Sequence, residues 1–281
     1  MTCFTDRNSR CFCHLMHRAQ FSRKSGIIML FRKFLKRIIF LIMDNKLTIR
    51  TEIQPSDTDY AELLSYPDIY ALFQDISVAH SRMLKYDASI LTPKGLFWVT
   101  ARSRVRIHRR PSVNEAVEFS TWPEKPDRIH GRRNYTFTKG SELLIEGTTD
   151  WAILDRNTNR LYMINKLYDP DFEFCPEKVL PEPFYRFTGD FSGEPFAEYT
   201  VRSIDIDFEG HMNNVAYVRA LFGLFSRAEL EQMDPKEIEF QYKVSCYEGD
   251  RLLWYREDGE QGLEICAKLE NGTEIFFARL R

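Results

Sequence analysis

Cysteine is scarce in this 281-residue chain and poorly placed for cofactor chemistry. Three of the six (Cys3, Cys11, Cys13) fall in the first 13 residues, and Cys175, Cys246 and Cys266 lie far apart. There is no C-x-x-C pair and no H-E-x-x-H, so neither a metal site nor any other cofactor is expected. A disulfide framework is not expected either, and a cytoplasmic location follows as the default. No unbroken run of ~20 apolar residues is present, which argues against an integral membrane span. The most apolar stretch, Ile27–Met43, is interrupted by Arg32, Lys33, Lys36 and Arg37 and lacks a small-residue cleavage site. A general basic surplus is also missing. Residues 1–43 hold nine Lys/Arg against Asp6 alone, but the remainder carries 30 bases and 40 acids, which excludes a generally basic nucleic-acid binder.

What is present is globular: 43% apolar and 28% charged residues, enough to bury a core without staples. The basic segment 1–42 has two readings. It is a basic amphipathic helix for an anionic membrane surface, or a reading frame that begins upstream of a true start at Met43. The second is the simpler, because nothing downstream requires the segment and a strand-like stretch, M-D-N-K-L-T-I-R-T-E-I-Q, opens at Met43.

The rest of the chain repeats itself. S-D-T-D-Y at 56–60 returns as I-D-I-D-F at 204–208, an offset of 148 for Asp57/Asp205 and Asp59/Asp207. Each copy follows an alternating strand (46–54; 196–203) and precedes an amphipathic helix. The first helix is capped by Ser65, with Pro67 and Asp68 in its first turn and an apolar stripe of Ile69, Leu72, Phe73, Ile76, Met83 and Leu84. The second runs from about Asn213–Asn214 through Val215, Val218, Leu221, Phe222, Phe225 and Leu230 to Asp234-Pro235. Strands are predicted over 96–108, 115–122, 131–139 and 142–155, then over 236–246, 250–257, 261–269 and 273–280. Five of the twelve prolines crowd residues 166–195, a linker. A one-faced helix followed by a meander needs a curved sheet to wrap it. The fold class is therefore α+β, a double hot-dog: an N-terminal half over 43–165, the linker 166–195, and a C-terminal half over 196–281.

The two copies differ in their chemistry. Only the second joins an acid, a glycine, a histidine and two amides: Asp207, Gly210, His211, Asn213 and Asn214. His80 falls on the apolar face of the first helix and reads as a core residue, while His108 and His130 sit among arginines. A loop entering a helix N-terminus presents free N–H groups that can hold a carbonyl oxygen as it gains charge, beside an imidazole and a carboxylate. That combination suits ester or thioester hydrolysis. The blander reading is that Asn213 only caps the helix and Asp207 only satisfies loop amides.

Residues 207–217, D-F-E-G-H-M-N-N-V-A-Y, resemble the D-x-N-x-H-x-N-N-x-x-Y loop of the acyl-acyl carrier protein thioesterases of plants and bacteria. S-D-T-D at 56–59, T-W-P at 121–123 and R-R-N-Y at 132–135 are further echoes, and the resemblance spans about 43–281. It implies hydrolysis of fatty acyl-acyl carrier protein, with Asp207 and His211 as catalytic acid and histidine and Asn213 in the same loop. Two positions depart from the pattern. Glu209 stands where the family has Asn, and Ser245-Cys246 where it has an acid followed by Cys or Ser. Glu209 is expected to supply the carboxylate missing at position 245, either pointing at His211 or protonated. Cys246 is a candidate nucleophile or a core residue.

The resemblance also implies an acyl tunnel in the first half, lined by Ile69, Phe73, Ile76, Phe97 and Val99. An acidic carrier protein needs a basic face. Arg102, Arg104 and Arg106 alternate along one strand, followed by Arg109 and Arg110, and Arg132 and Arg133 lie in the next hairpin. These are the candidate docking residues; an ordinary solvated sheet face is the alternative. Competing functions are an acyl-CoA thioesterase and a non-catalytic acyl-binding module, with a hydratase last. One chain can hold both halves, so monomer and homodimer are both open.

Overall fold

A computed structural model describes residues 29–30, 39–43, 45–158 and 160–281. Twelve strands follow in chain order. They are β1 (Met29–Leu30), β2 (Ile39–Met43), β3 (Lys46–Glu52), β4 (Leu96–Ile107), β5 (Ala116–Pro123), β6 (Gly131–Lys139) and β7 (Glu142–Asp155), then β8 (Ala197–Thr200), β9 (Glu237–Tyr242), β10 (Arg251–Gly259), β11 (Gly262–Leu269) and β12 (Glu274–Leu280). The helices are α1 (Tyr66–Met83), α2 (Ala88–Leu91), α3 (Asn214–Phe222) and α4 (Arg227–Met233).

All strands join one antiparallel sheet in the order β1-β2-β3-β5-β6-β7-β4-β9-β12-β11-β10-β8. Beyond β1 and β2 this order is a palindrome: β3-β5-β6-β7-β4 meets its mirror, β9-β12-β11-β10-β8, at the β4–β9 seam. Each half wraps its helix, and the two helices pack together, with Tyr66 of α1 stacked on Phe222 of α3 at 5.0 Å. One continuous core unites both helices and both halves of the sheet. This is a double hot-dog.

The internal repeat holds bond by bond. Asp57 Oδ2 accepts from Gln54 N at 3.1 Å, and Asp205 Oδ2 from Arg202 N at 2.8 Å. Asp59 Oδ1 accepts from Ala61 N at 2.9 Å, and Asp207 Oδ1 from Glu209 N at 2.8 Å. Ser65 N donates to Asp57 O, and Asn213 N to Asp205 O. The offset of 148 residues thus aligns Leu63 with His211 and Glu62 with Gly210, both with positive φ (59° and 84°).

α1 starts as predicted, with Ser65 Oγ accepting from Asp68 N at 3.1 Å. Phe73 packs flat on Tyr135, 4.0 Å between ring centres, and its ring lies over Gly147 of β7. A Cβ there would stand 2.4 Å from the ring, and Tyr135 leaves the ring nowhere to go. Gly147→Ala should therefore cost about 1–3 kcal/mol by overpacking. Urea denaturation checks this, and an unchanged midpoint would refute it.

Three expectations are corrected. The second helix is not continuous. It breaks after Phe222, and α4 restarts at the Ser226 cap, whose hydroxyl accepts from Glu229 N while the Glu229 carboxylate accepts from Ser226 N. β9 ends at Tyr242, so Ser245-Cys246 lies beyond the strand. In segment 1–42 the described stretches, Met29–Leu30 and Ile39 onward, are strands and not a helix, and β2 pairs with β3 at the sheet edge. The remainder of that segment, with Cys3, Cys11, Cys13, His14 and His17, lies outside the described residues.

The segment 166–195 crosses the outer face of the sheet. Trp122 Nε1 donates to Glu177 O at 2.8 Å, and Arg104 donates to the Glu182 and Pro183 carbonyls. Tyr185 N donates to Glu239 at 2.8 Å, and Phe191 is buried against Cys266 and Phe277.

Candidate active site

The loop 207–213 enters α3 by a turn that its own aspartate builds. Asp207 Oδ1 accepts from Glu209 N at 2.8 Å and His211 N at 3.4 Å, and Gly210 N donates to Asp207 O at 3.0 Å. Asn213 caps α3, its side-chain oxygen accepting from Val215 N at 2.8 Å. The structural reading of both residues is therefore met, yet it uses one oxygen of Asp207 and leaves its carboxylate on the wall of a cleft. In the first copy Asp59 is instead neutralised by Arg110, which also lies 4.4 Å over the Tyr66 ring.

The cleft holds about 210 Å³ between α1 and the first-half sheet. Asp207, Phe208, Glu209, Asn213 and Asn214 close it from the second half. The His211 ring stands beside it, 6.3 Å from the ring of Phe97, which lines the cleft, and 5.2 Å edge-on from Tyr247. Neither ring nitrogen of His211 has a hydrogen-bond partner among the described residues, so both are free to serve a reacting group. Asn214 is fixed by donating from Nδ2 to Thr100 Oγ1 of β4 at 2.7 Å. Its backbone N–H, at the α3 N-terminus, has no acceptor among the described residues.

Glu209 does not reach toward His211. Its carboxylate pairs with Arg156, just past β7. A charged residue at the end of β7 carries no sequence signal linking it to a loop 53 positions away, which is why Arg156 went unrecognised. The pairing predicts an asymmetry. For the thioester hydrolysis that the sequence resemblance implies, Glu209→Gln should leave turnover nearly unchanged, while Arg156→Ala, which strands an anion beside the loop, should lower kcat/KM roughly tenfold. Equal kcat/KM in wild type and Arg156→Ala would show that the pair does not shield the site.

Cys246 is not placed as a nucleophile. It is wholly buried, and burial pushes its thiol up to about 11. Its backbone is what the site uses: Cys246 O accepts from Met212 N at 2.8 Å, and Cys246 N donates to Tyr217 Oη at 3.0 Å. Tyr217 thus ties α3 to the 245–247 segment, which carries Tyr247 to the histidine. Ser245 is exposed on that segment.

Of the expected tunnel residues, only Phe97 lines this cleft; Phe73 borders a separate void of about 30 Å³. Ile69 and Ile76 point into the core, and Val99 lines neither space. The cleft instead uses the polar flank of α1, Gln74, Ser77 and Ser81, opposite Trp98, Trp151 and Tyr168. The apolar stripe marked what packs, and the cleft lies one step round the helix.

The arginine face is corrected as well. Arg104 is 4% exposed and pairs with Glu239 at 3.0 Å; Arg106 pairs with Glu146 and Glu237, each at 3.3 Å. Arg109 is shared by Glu115 at 2.8 Å and Glu142 at 3.0 Å, Arg110 is held by Asp59, and Arg132 by Asp150 at 2.8 Å. Arg133 is buried. Arg102 and the buried Arg133 have no carboxylate partner among the described residues. Carboxylates from the flanking strands β7 and β9 cancel Arg104 and Arg106, two of the three arginines that alternate along β4.

Residues 44–169 match the model of the acyl-ACP thioesterase N-terminal domain, and residues 192–275 that of its C-terminal domain. The chain is 26% identical over 201 residues to an oleoyl-acyl carrier protein thioesterase from Arabidopsis thaliana, covering 64% of this chain and 54% of that one. A relative from Coriandrum sativum with the same activity in its name is 26% identical over 197 residues, covering 64% and 53%. The chain spans about half the length of these curated relatives. Among solved structures, an acyl-ACP thioesterase from Bacteroides thetaiotaomicron superposes with a TM-score of 0.77 at 21% identity, covering 84% of this chain and 97% of that one. The 12:0-ACP thioesterase of Umbellularia californica gives 0.71 at 18%, covering 85% and 98%. The chain belongs to the acyl-ACP thioesterase family.

Proposed function

We propose that this chain hydrolyses the thioester of fatty acyl-acyl carrier protein to a free fatty acid and the holo carrier, ending chain growth in fatty acid synthesis. One observation carries the reading: the copy of the repeat that has a histidine opens its loop onto the cleft of the other half, with neither imidazole nitrogen bonded among the described residues. The copy without one has its aspartate neutralised by Arg110.

In this reading the acyl chain lies in the cleft and the thioester carbonyl at its mouth. His211 takes a proton from water as the water oxygen bonds to the carbonyl carbon. The oxyanion is held by the Asn214 N–H and the positive end of α3. Collapse of the intermediate breaks the C–S bond, and the leaving thiolate takes the proton from the imidazolium. Asp207 holds the loop in place, and its carboxylate stabilises the imidazolium. Pairing of Arg104, Arg106, Arg109, Arg110 and Arg132 with carboxylates leaves little free basic surface for either a carrier protein or a CoA phosphate, so the choice between the two thioesters falls to the assay.

The test is release of free fatty acid from C8–C18 acyl-acyl carrier proteins, with matching acyl-CoAs alongside. Hydrolysis of the carrier thioesters supports the proposal. Hydrolysis of CoA esters alone would replace it, and tight acyl binding without turnover would make the chain an acyl-binding module.

A further inference from the structure

We infer that the buried guanidinium of Arg133, backed by His80, forms a polar end wall that sets the longest acyl chain the cleft accepts. The inference rests on the thioesterase reading, since it concerns how that substrate is measured.

The cleft starts at the catalytic loop and runs along α1 from Gln74 to Ser81, with Arg133 on its wall. Asn214 is bonded to Thr100 of β4; Thr100 faces Trp151 of β7, which faces Gly131 of β6, and Arg133 lies two residues further along β6. Two strand spacings, roughly 10 Å, therefore separate the loop end of the cleft from the strand that carries Arg133.

Arg133 is 6% exposed, and its partners among the described residues are all neutral: His80 Nδ1 at 3.0 Å, Thr121 Oγ1 at 3.3 Å and Ser81 Oγ at 3.3 Å. Its neighbour Arg132, by contrast, has Asp150 at 2.8 Å. A guanidinium can only donate, so His80 accepts at Nδ1 and carries its proton on Nε2, which is buried without a partner. Burial and the adjacent guanidinium hold the His80 pKa well below its usual range, which keeps the ring neutral. Of the other ionisable groups lining the first-half side of the cleft, Arg132 is held by Asp150, Tyr168 packs on Tyr86, and Asp87 is engaged with Ser89 at the start of α2.

A buried cation with only neutral partners keeps an unmet demand for an oxygen acceptor, and a methyl group pressed against it meets none of that demand. Each methylene short of the wall gains contact with apolar surface. The next one beyond it must displace or desolvate the guanidinium. Affinity should rise about fourfold per methylene and then stop.

The experiment is displacement of a fluorescent fatty-acid probe from the full chain by straight-chain monoacids from C8 to C18 and by the matching α,ω-diacids. Wild type should show the rise followed by a plateau. At the plateau length the diacid should bind more tightly than the monoacid, because its distal carboxylate meets Arg133. Arg133→Met should move the plateau about two carbons longer, and Arg133→Gln, which keeps hydrogen bonds but drops the charge, should move it less; thermal unfolding reports whether each variant folds. A rise without a plateau, a plateau unmoved in folded Arg133→Met, or monoacids tighter than diacids at every length overturns the end wall. The last comparison needs only wild type. Because the readout is binding, absence of thioester hydrolysis alongside an intact ladder overturns the activity proposal alone.

Discussion

His211→Ala should lower kcat/KM for acyl-acyl carrier protein hydrolysis by roughly 10²–10⁴-fold, with the thermal midpoint nearly unchanged. The histidine is half-buried and, among the described residues, is hydrogen-bonded through its backbone alone, its N–H reaching Asp207 Oδ1 and its carbonyl accepting from Asp207 N. Removing the ring therefore deletes the base and spares the loop. Cys246→Ala is the matching control. The thiol of Cys246 is buried and pushed up to about 11, so almost none of it is thiolate near neutrality. Its two site contacts are made by backbone atoms, so this variant should keep most of the activity. Loss of activity in Cys246→Ala with His211→Ala still turning over would exchange their roles. Steady-state release of fatty acid, read with unfolding curves for both variants, decides it.

Glu239→Ala should destabilise the chain by about 3–5 kcal/mol, the largest single-site effect on stability expected here. Glu239 sits on β9, at the central seam of the palindrome, and is 2% exposed. Its carboxylate takes Arg104 of β4 at 3.0 Å on one side and Arg279 of β12 at 2.7 Å on the other, and it accepts Tyr185 N from the crossing segment at 2.8 Å. Both arginines are as buried as the glutamate. Truncation leaves two cations in a dry layer with a weakened supply of acceptors, and it frees the strap that covers the seam. Replacement of all three by apolar residues of similar size is a different experiment, and its cost should be much smaller, because a buried ion network repays little beyond its own desolvation. Chemical denaturation of the single and triple variants separates the two outcomes. A single variant within about 1 kcal/mol of wild type would show that water reaches this layer.

What the sequence carried and what it could not are divided by range. Strand alternation, the Ser65 and Asn213 caps and the 148-residue repeat are local signals with local causes, and each of the paired features around Asp57/Asp205 and Asp59/Asp207 has its counterpart in the bonds. The break between α3 and α4 was also locally encoded, by Ser226 and Glu229, but the apolar spacing runs on across it and concealed the second start.

The sequence by itself determined the double hot-dog, the copy that carries the histidine, and the loop in which Asp207 and His211 stand. Tertiary structure alone decided which charges cancel: Arg156 takes Glu209, Glu239 and Glu237 absorb Arg104 and Arg106 of β4, and Arg133 turns inward to His80. It alone decided, too, that the cleft borrows the polar flank of α1 and not its apolar stripe. The physical reason is common to both. Hydrogen-bonded caps and side-chain periods are fixed within a few residues, whereas electrostatic partners and cavities are set by groups that only the sheet brings together.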